Sequence, residues 1–136
     1  MNKIWNIGRF LYLSQQASNN KSQITNKSKI SSSKILNKLK EDFEKEKIEY
    51  FKLMDDYKFS LAFDLVYEFL WHKFADFYIE KLKNELRNDN IKAKEVLFDV
   101  YFENLKFLHP FIPFVTDAVW KVFHGRNKTI LSEKLI

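Results

Sequence analysis

Hydrophobic positions recur at helical spacing along most of this chain, and no strand-length stretch alternates apolar with polar residues. In residues 2–16, Ile4, Ile7, Gly8 and Leu11 share one face, which predicts a first helix. Residues 17–33 are mostly Ser, Asn, Lys and Gln, a composition that predicts a flexible basic loop. From Ile35 to Met54 a second helix is expected, with Ile35, Leu39 and Phe43, then Glu46 and Tyr50, at i, i+4 spacing. A Ser in 31–33 is its expected cap. Asp55-Asp56-Tyr57 breaks the pattern, and Ser60 is the expected cap of a long third helix from Leu61 to about Arg87. Its apolar residues, Leu61 through Leu82, cover most of the circumference, which places it in the middle of a bundle with its aromatics, Trp71 and Phe74 among them, in the core. Asn88-Asp89-Asn90 reads as a turn. A fourth helix follows from Ile91 to Leu108, with Leu97, Val100, Tyr101, Asn104 and Leu108 on one side. Pro110 biases His109 away from the helical region and ends it. Pro113 suits the first turn of a fifth helix, with Phe114, Val115, Ala118, Val119 and Val122 facing inward and Gly125 as its stop. The expected fold is all-α, an antiparallel bundle of four to five helices over residues 1–125. Residues 126–136 read as the start of a connection to a further C-terminal region.

Composition narrows the classes. The chain has 136 residues, enough for one domain with a real core. Two Gly and two Pro are too few for the tight turns of a sandwich or barrel. The absence of Cys excludes disulfides and thiolate metal sites. No apolar run approaches the roughly 20 residues that span a membrane, and no signal-peptide pattern is present. A monomeric cytoplasmic protein without membrane contact is expected.

Charge adds direction. Of the 23 Lys and Arg, eight lie in residues 1–40, which contain no acid, and the other 15 are set against all 18 acids. A localised basic end points to a polyanion partner or to a solvated basic tail, and composition does not choose between them.

Candidate chemistry is sparse. Gly8 and Gly125 alone cannot build a phosphate-binding loop. Asp64, Glu68, His72 and Asp76 form an i, i+4 stripe that could ligate a metal but reads better as a hydrogen-bonded polar seam. His109, beside Pro110, reads as a helix-end hydrogen bonder. No catalytic residue and no metal site are expected. The first helix says more. Away from its Ile4–Ile7–Leu11 face lie Lys3, Asn6, Phe10 and Leu13, flanked by Arg9. A ring beside cations and an amide suits single-stranded RNA: bases stack on the ring, cations meet phosphates, and the amide reads a base edge. The same periodicity allows Phe10 to pack against another helix instead.

Three segments carry a family resemblance. NKIWNIGRF (Asn2–Phe10) resembles the valyl-tRNA synthetase pattern N-K-L-W-N-A-x-R-F. DLVYEFLWHKFADFYIEKLK (Asp64–Lys83) resembles its L-Y-x-F-x-W-x-E-F-C-D-W-Y-L-E segment. LKFLHPFIPFVTDAVW (Leu105–Trp120) resembles L-R-L-L-H-P-F-x-P-F-I-T-E-E-x-W, which the valine, leucine, isoleucine and methionine synthetases share. The chain departs from these patterns at His72-Lys73, where the family has a polar residue and Glu. It departs again at Ala75-Asp76-Phe77, where the family has Cys-Asp-Trp, and at Asp117-Ala118 in place of Glu-Glu.

The resemblance implies the anticodon-binding domain of a class I aminoacyl-tRNA synthetase, most like the valine enzymes. It implies tRNA, that of valine, as partner, with Lys3, Asn6, Arg9 and Phe10 contacting the anticodon. The H-I-G-H and K-M-S-K-S signatures are not in this sequence. No catalysis by this chain alone is expected, no cofactor in this domain, and ATP use only by a longer ligase. The alternatives are the same domain of a leucine, isoleucine or methionine ligase, or a non-catalytic helical protein-interaction module.

Overall fold

The computed structural model describes residues 2–16, 26–87 and 91–125. The helices are α1 (Asn2–Gln16), α2 (Asn26–Asp55), α3 (Phe59–Glu68), a π-helical segment (Phe69–Ile79), α4 (Glu80–Arg87), α5 (Ile91–Leu108) and α6 (Pro113–His124). The residues joining α3, the π segment and α4 all keep right-handed helical backbone, so these three form one continuous rod. It corresponds to the long third helix expected from the sequence, and no strand occurs among the described residues.

Helix α2 starts earlier than its apolar pattern suggests. Ser31 to Ser33 lie inside it, not at its cap, and the expected loop is helical from Asn26 onward. No Gly or Pro interrupts 26–34, and extending a nucleated helix through Ser and Lys costs little per residue. The rest of that expected loop, the turn at 88–90 and the segment 126–136 lie outside the described residues.

At its other end α2 closes as the break at 55–57 predicts. Tyr57 adopts φ 60°. Its N–H donates to Met54 O at 3.1 Å and that of Lys58 to Leu53 O at 2.8 Å, a Schellman closure with Tyr where Gly is usual. Lys58, not Ser60, is the N-cap residue of α3, and it makes no side-chain cap.

Helix α5 packs against α2, α3, α4 and α6. Leu97, Val100, Tyr101, Asn104 and Leu108 are all buried, as their spacing predicts. Tyr50 stacks on Phe107 at 4.4 Å and donates its hydroxyl to Phe107 O at 2.9 Å. Phe74 stacks on Tyr101. The rod and α5 run antiparallel, as do α5 and α6. Phe63 meets Phe111 while Phe74 meets Tyr101, and Phe98 meets Phe123 while Phe102 meets Trp120.

The π segment changes which faces are buried. Its i→i+5 bonding turns more slowly than an α-helix. Phe69, Leu70, Phe74, Tyr78 and Ile79 therefore point inward, while Trp71 and Phe77 are each 38% exposed. Trp71 is thus not a core ring, and Leu61 is exposed as well.

At the α5–α6 corner the His109 ring lies 2.8 Å from the buried Thr116 hydroxyl. Desolvation pulls its imidazole pKa below the ordinary range, opposed by Asp117. Helix α6 begins with Pro113 and ends at Gly125, φ 105°. Its buried residues are Thr116, Val119 and Trp120. Of the five expected to face inward, Val119 is buried and Val115 half-buried, whereas Ala118 and Val122 are exposed and Phe114 is 90% exposed. The inward face is rotated so that Thr116 can bond His109 and Trp120 can stack on His124.

Candidate nucleic-acid interface

Helix α1 is held by one face. Ile4, Ile7 and Leu11 are buried in the core, and Tyr101 donates its hydroxyl to Ile4 O at 2.8 Å. Gly8 makes the close approach to α5 and α6. A β-carbon there would sit 2.7 Å from the Tyr101 hydroxyl oxygen and 2.9 Å from Val119 Cγ1.

The residues singled out for RNA are spread around the remaining circumference. Asn6 and Arg9 are exposed, as are Trp5 and Leu13. Lys3 and Phe10 are half-buried on the flank that faces the rod. Lys3 Nζ lies 3.4 Å from Asp76 Oδ1 and 5.5 Å from the centre of the Trp71 ring. The Phe10 ring packs on the edge of the core, with Lys83 Nζ 6.0 Å from its centre. Lys83 in turn pairs with Glu80 at 3.2 Å. Lys3 at Asp76 and Phe10 at Lys83 show that α1 lies along the rod in the same direction. All four residues sit on one helix: two look outward and two lean toward the π segment and α4. Phe10 is neither a fully exposed ring nor a core ring.

The other flank of α1 borders α6. There Trp5, Arg9, Tyr12 and Leu13 face Val122 and Phe123 across an open apolar cavity of about 370 Å³. On the rod, His72 bridges Glu68 at 3.1 Å and Asp76 at 3.9 Å. The i, i+4 stripe is thus a polar seam, and among the described residues no group of three His, Asp or Glu is arranged to hold a metal ion.

Sequence periodicity missed the exposed rings of the rod. Phe77 is flanked by Lys38 Nζ at 5.1 Å and Lys81 Nζ at 5.9 Å from its centre. The i, i+4 pair Phe77 and Lys81 was legible, but the outward turn of Phe77 follows from the π bonding, which leaves no pattern in the sequence.

Charge, exposed amide and rings over α1 and the rod suit a polyanion with unstacked bases better than a small substrate. The family model described as the anticodon-binding domain of tRNA ligase matches residues 33–135. The valine–tRNA ligase of Wigglesworthia glossinidia brevipalpis is 34% identical over 125 residues, which is 88% of this chain and 14% of that protein. That of Fervidobacterium nodosum is 34% identical over 131 residues, 96% of this chain and 15% of that protein. That of Clostridium tetani is 34% identical over an alignment of 140 positions that covers 98% of this chain and 15% of that protein. The chain spans about a seventh of the length of these relatives. With a helical bundle and a family match over most of its length, the chain belongs to the anticodon-binding domains of tRNA ligases.

Proposed function

We propose that this chain receives the anticodon of the valine tRNA within a valine–tRNA ligase, using Lys3, Asn6, Arg9 and Phe10 on α1. The observation that carries this reading is the single helix that presents an exposed amide, an exposed guanidinium, a half-buried ammonium and a half-buried ring. Arg9 and Lys3 meet phosphates or base acceptors, Asn6 reads a base edge, and the open face of Phe10 takes a base. Valine and ATP are handled by the remainder of the longer ligase, and this chain contributes no catalytic group or cofactor. It acts as a cytoplasmic monomer. No described helix is long and apolar enough to cross a membrane.

Phe10 tests the reading. Phe10→Leu keeps apolar volume on the core edge but removes the flat face. It is expected to weaken binding of valine tRNA by about 5- to 150-fold, the worth of one stacked base. The folding cost should stay below about 1.5 kcal/mol, as for other volume-conserving swaps. Unchanged affinity in Phe10→Leu would remove the ring from the site. Lys3→Ala should flatten the slope of log affinity against log salt by about 0.7. Its melting should barely move, because an exposed ion pair such as Lys3–Asp76 contributes at most about 1 kcal/mol. The chain by itself should show no valine-dependent ATP–pyrophosphate exchange, and measurable exchange would contradict the assignment of catalysis to other regions.

A further inference from the structure

An exposed Phe between two ammonium groups is an unusual surface feature. Among the described residues the ring has no aromatic neighbour outside its own segment: its contact is Tyr78, edge to face at 5.0 Å. Lys38 approaches from α2 and Lys81 from α4. Neither lysine has an ion pair among the described residues. Of the nearby acids, Asp42 accepts from the Tyr78 hydroxyl and Glu80 pairs with Lys83. Trp71 differs: its cation, Lys3, is already held by Asp76, and Glu68 lies one turn away. Phe77 therefore joins an exposed ring to two ammonium groups that have no ion pair among the described residues, and Trp71 does not.

We infer that Phe77, between Lys38 and Lys81, is a second nucleotide subsite, where the ring stacks on a base of single-stranded RNA and the two ammonium groups meet the phosphates beside it. This rests on the RNA-binding reading above. A base is a better partner for the ring than a solvated lysine, and a phosphate is a better partner for the lysines than a ring. RNA thus displaces both contacts at once. The subsite lies on the rod that carries Asp76 and Lys83, the residues beside Lys3 and Phe10. Charge complementarity selects RNA over an apolar peptide, which would leave two ammonium groups without partners.

The test uses the full 136-residue chain with valine tRNA and a synthetic hairpin of its anticodon arm. Phe77→Leu and Phe77→Ala should each weaken binding about 5- to 150-fold. Lys38→Gln with Lys81→Gln should lower the salt slope by about 1.4. Phe77→Leu is the deciding variant if Phe77→Ala melts early. Binding by Phe77→Leu equal to the parent, while Arg9→Gln binds poorly, would overturn the subsite and leave the α1 reading standing. A parent chain that binds the hairpin no better than heparin would overturn both. A Phe77→Leu protein that melts earlier yet keeps its RNA affinity would show that the two lysines only brace the ring.

Discussion

Replacing Gly8 by Val is expected to cost about 2–3 kcal/mol of folding stability and to lower the melting temperature by roughly 10 °C. The space for a β-carbon is already taken by the Tyr101 hydroxyl, at 2.7 Å, and by Val119, at 2.9 Å. Neither neighbour is free to yield. Tyr101 is fully buried and its hydroxyl is bonded to Ile4 O, and Val119 is buried on α6. In an open helix, a residue with a side chain in place of Gly would gain up to about 1 kcal/mol of helix propensity, and the overlap outweighs that gain. Gly8→Ala should fall between parent and Gly8→Val. In Gly8→Ala with Tyr101→Phe, removal of the hydroxyl should recover part of the loss, a coupling that a double-mutant cycle measures. A Gly8→Ala protein more stable than the parent would mean that α1 does not approach α5 this closely. The RNA reading depends on the same contact, because a displaced α1 carries Asn6 and Arg9 with it.

The second large effect belongs to Glu46. Its side chain is 4% exposed, and neither carboxyl oxygen has a hydrogen-bond partner among the described residues. Burial pushes its pKa well above the ordinary carboxyl value, while Asn104 and Lys73 partly oppose the shift. Asp42, Lys45, Glu68, His72 and Lys73 line the cavity of about 300 Å³ that borders it. Asn104 donates to Val100 O at 2.8 Å, and its buried carbonyl oxygen has no partner.

A carboxyl with a raised folded-state pKa keeps a proton that the unfolded chain releases. Its contribution is therefore most favourable below the unfolded pKa, near 4.5. It declines as pH rises from there through the folded pKa. Glu46→Gln carries no charge at any pH and should gain on the parent as pH rises from 4 to 8, by about 1.4 kcal/mol for each unit by which burial raises the folded-state pKa. The two proteins should converge near pH 4. The raised pKa of Asp99 and the lowered one of His109 act equally in both proteins and cancel in the difference. Stability curves that stay parallel from pH 4 to pH 8 would show that Glu46 does not titrate in a buried site.

Helix boundaries were legible where composition changes abruptly. Asp55-Asp56-Tyr57 ends α2 and Pro110 to Pro113 separates α5 from α6 where the sequence places them, while α3 starts at Phe59, ahead of the expected Leu61. The start of α2 was not legible, because Ser and Lys are compatible with both loop and helix, and only attachment to an existing helix decides. The buried face of α5 followed from period alone, since that helix is packed on several sides. That of α6 did not, because a corner hydrogen bond between His109 and the Thr116 hydroxyl keeps a polar residue inward. For the candidate site, periodicity placed Lys3, Asn6, Arg9 and Phe10 off the core face of α1. It did not foresee that Asp76 would hold Lys3 or that Lys83 would stand over Phe10.

The sequence by itself determined the all-helical class, the order of the helices, the core face of α1 and the resemblance that names the family. These depend on local spacing and on residue identity, and neither needs a partner to be known. Tertiary structure alone decided which rings remain open, which lysines stand over them and which carboxyl is buried. The π bonding of Phe69–Ile79 turns Phe77 outward between Lys38 and Lys81. The packing of α2 on α5 closes over Glu46, a charged residue that in an isolated helix would sit in water. Exposure and the cost of a buried charge are set by atoms far apart in sequence, so no pattern within one helix records them.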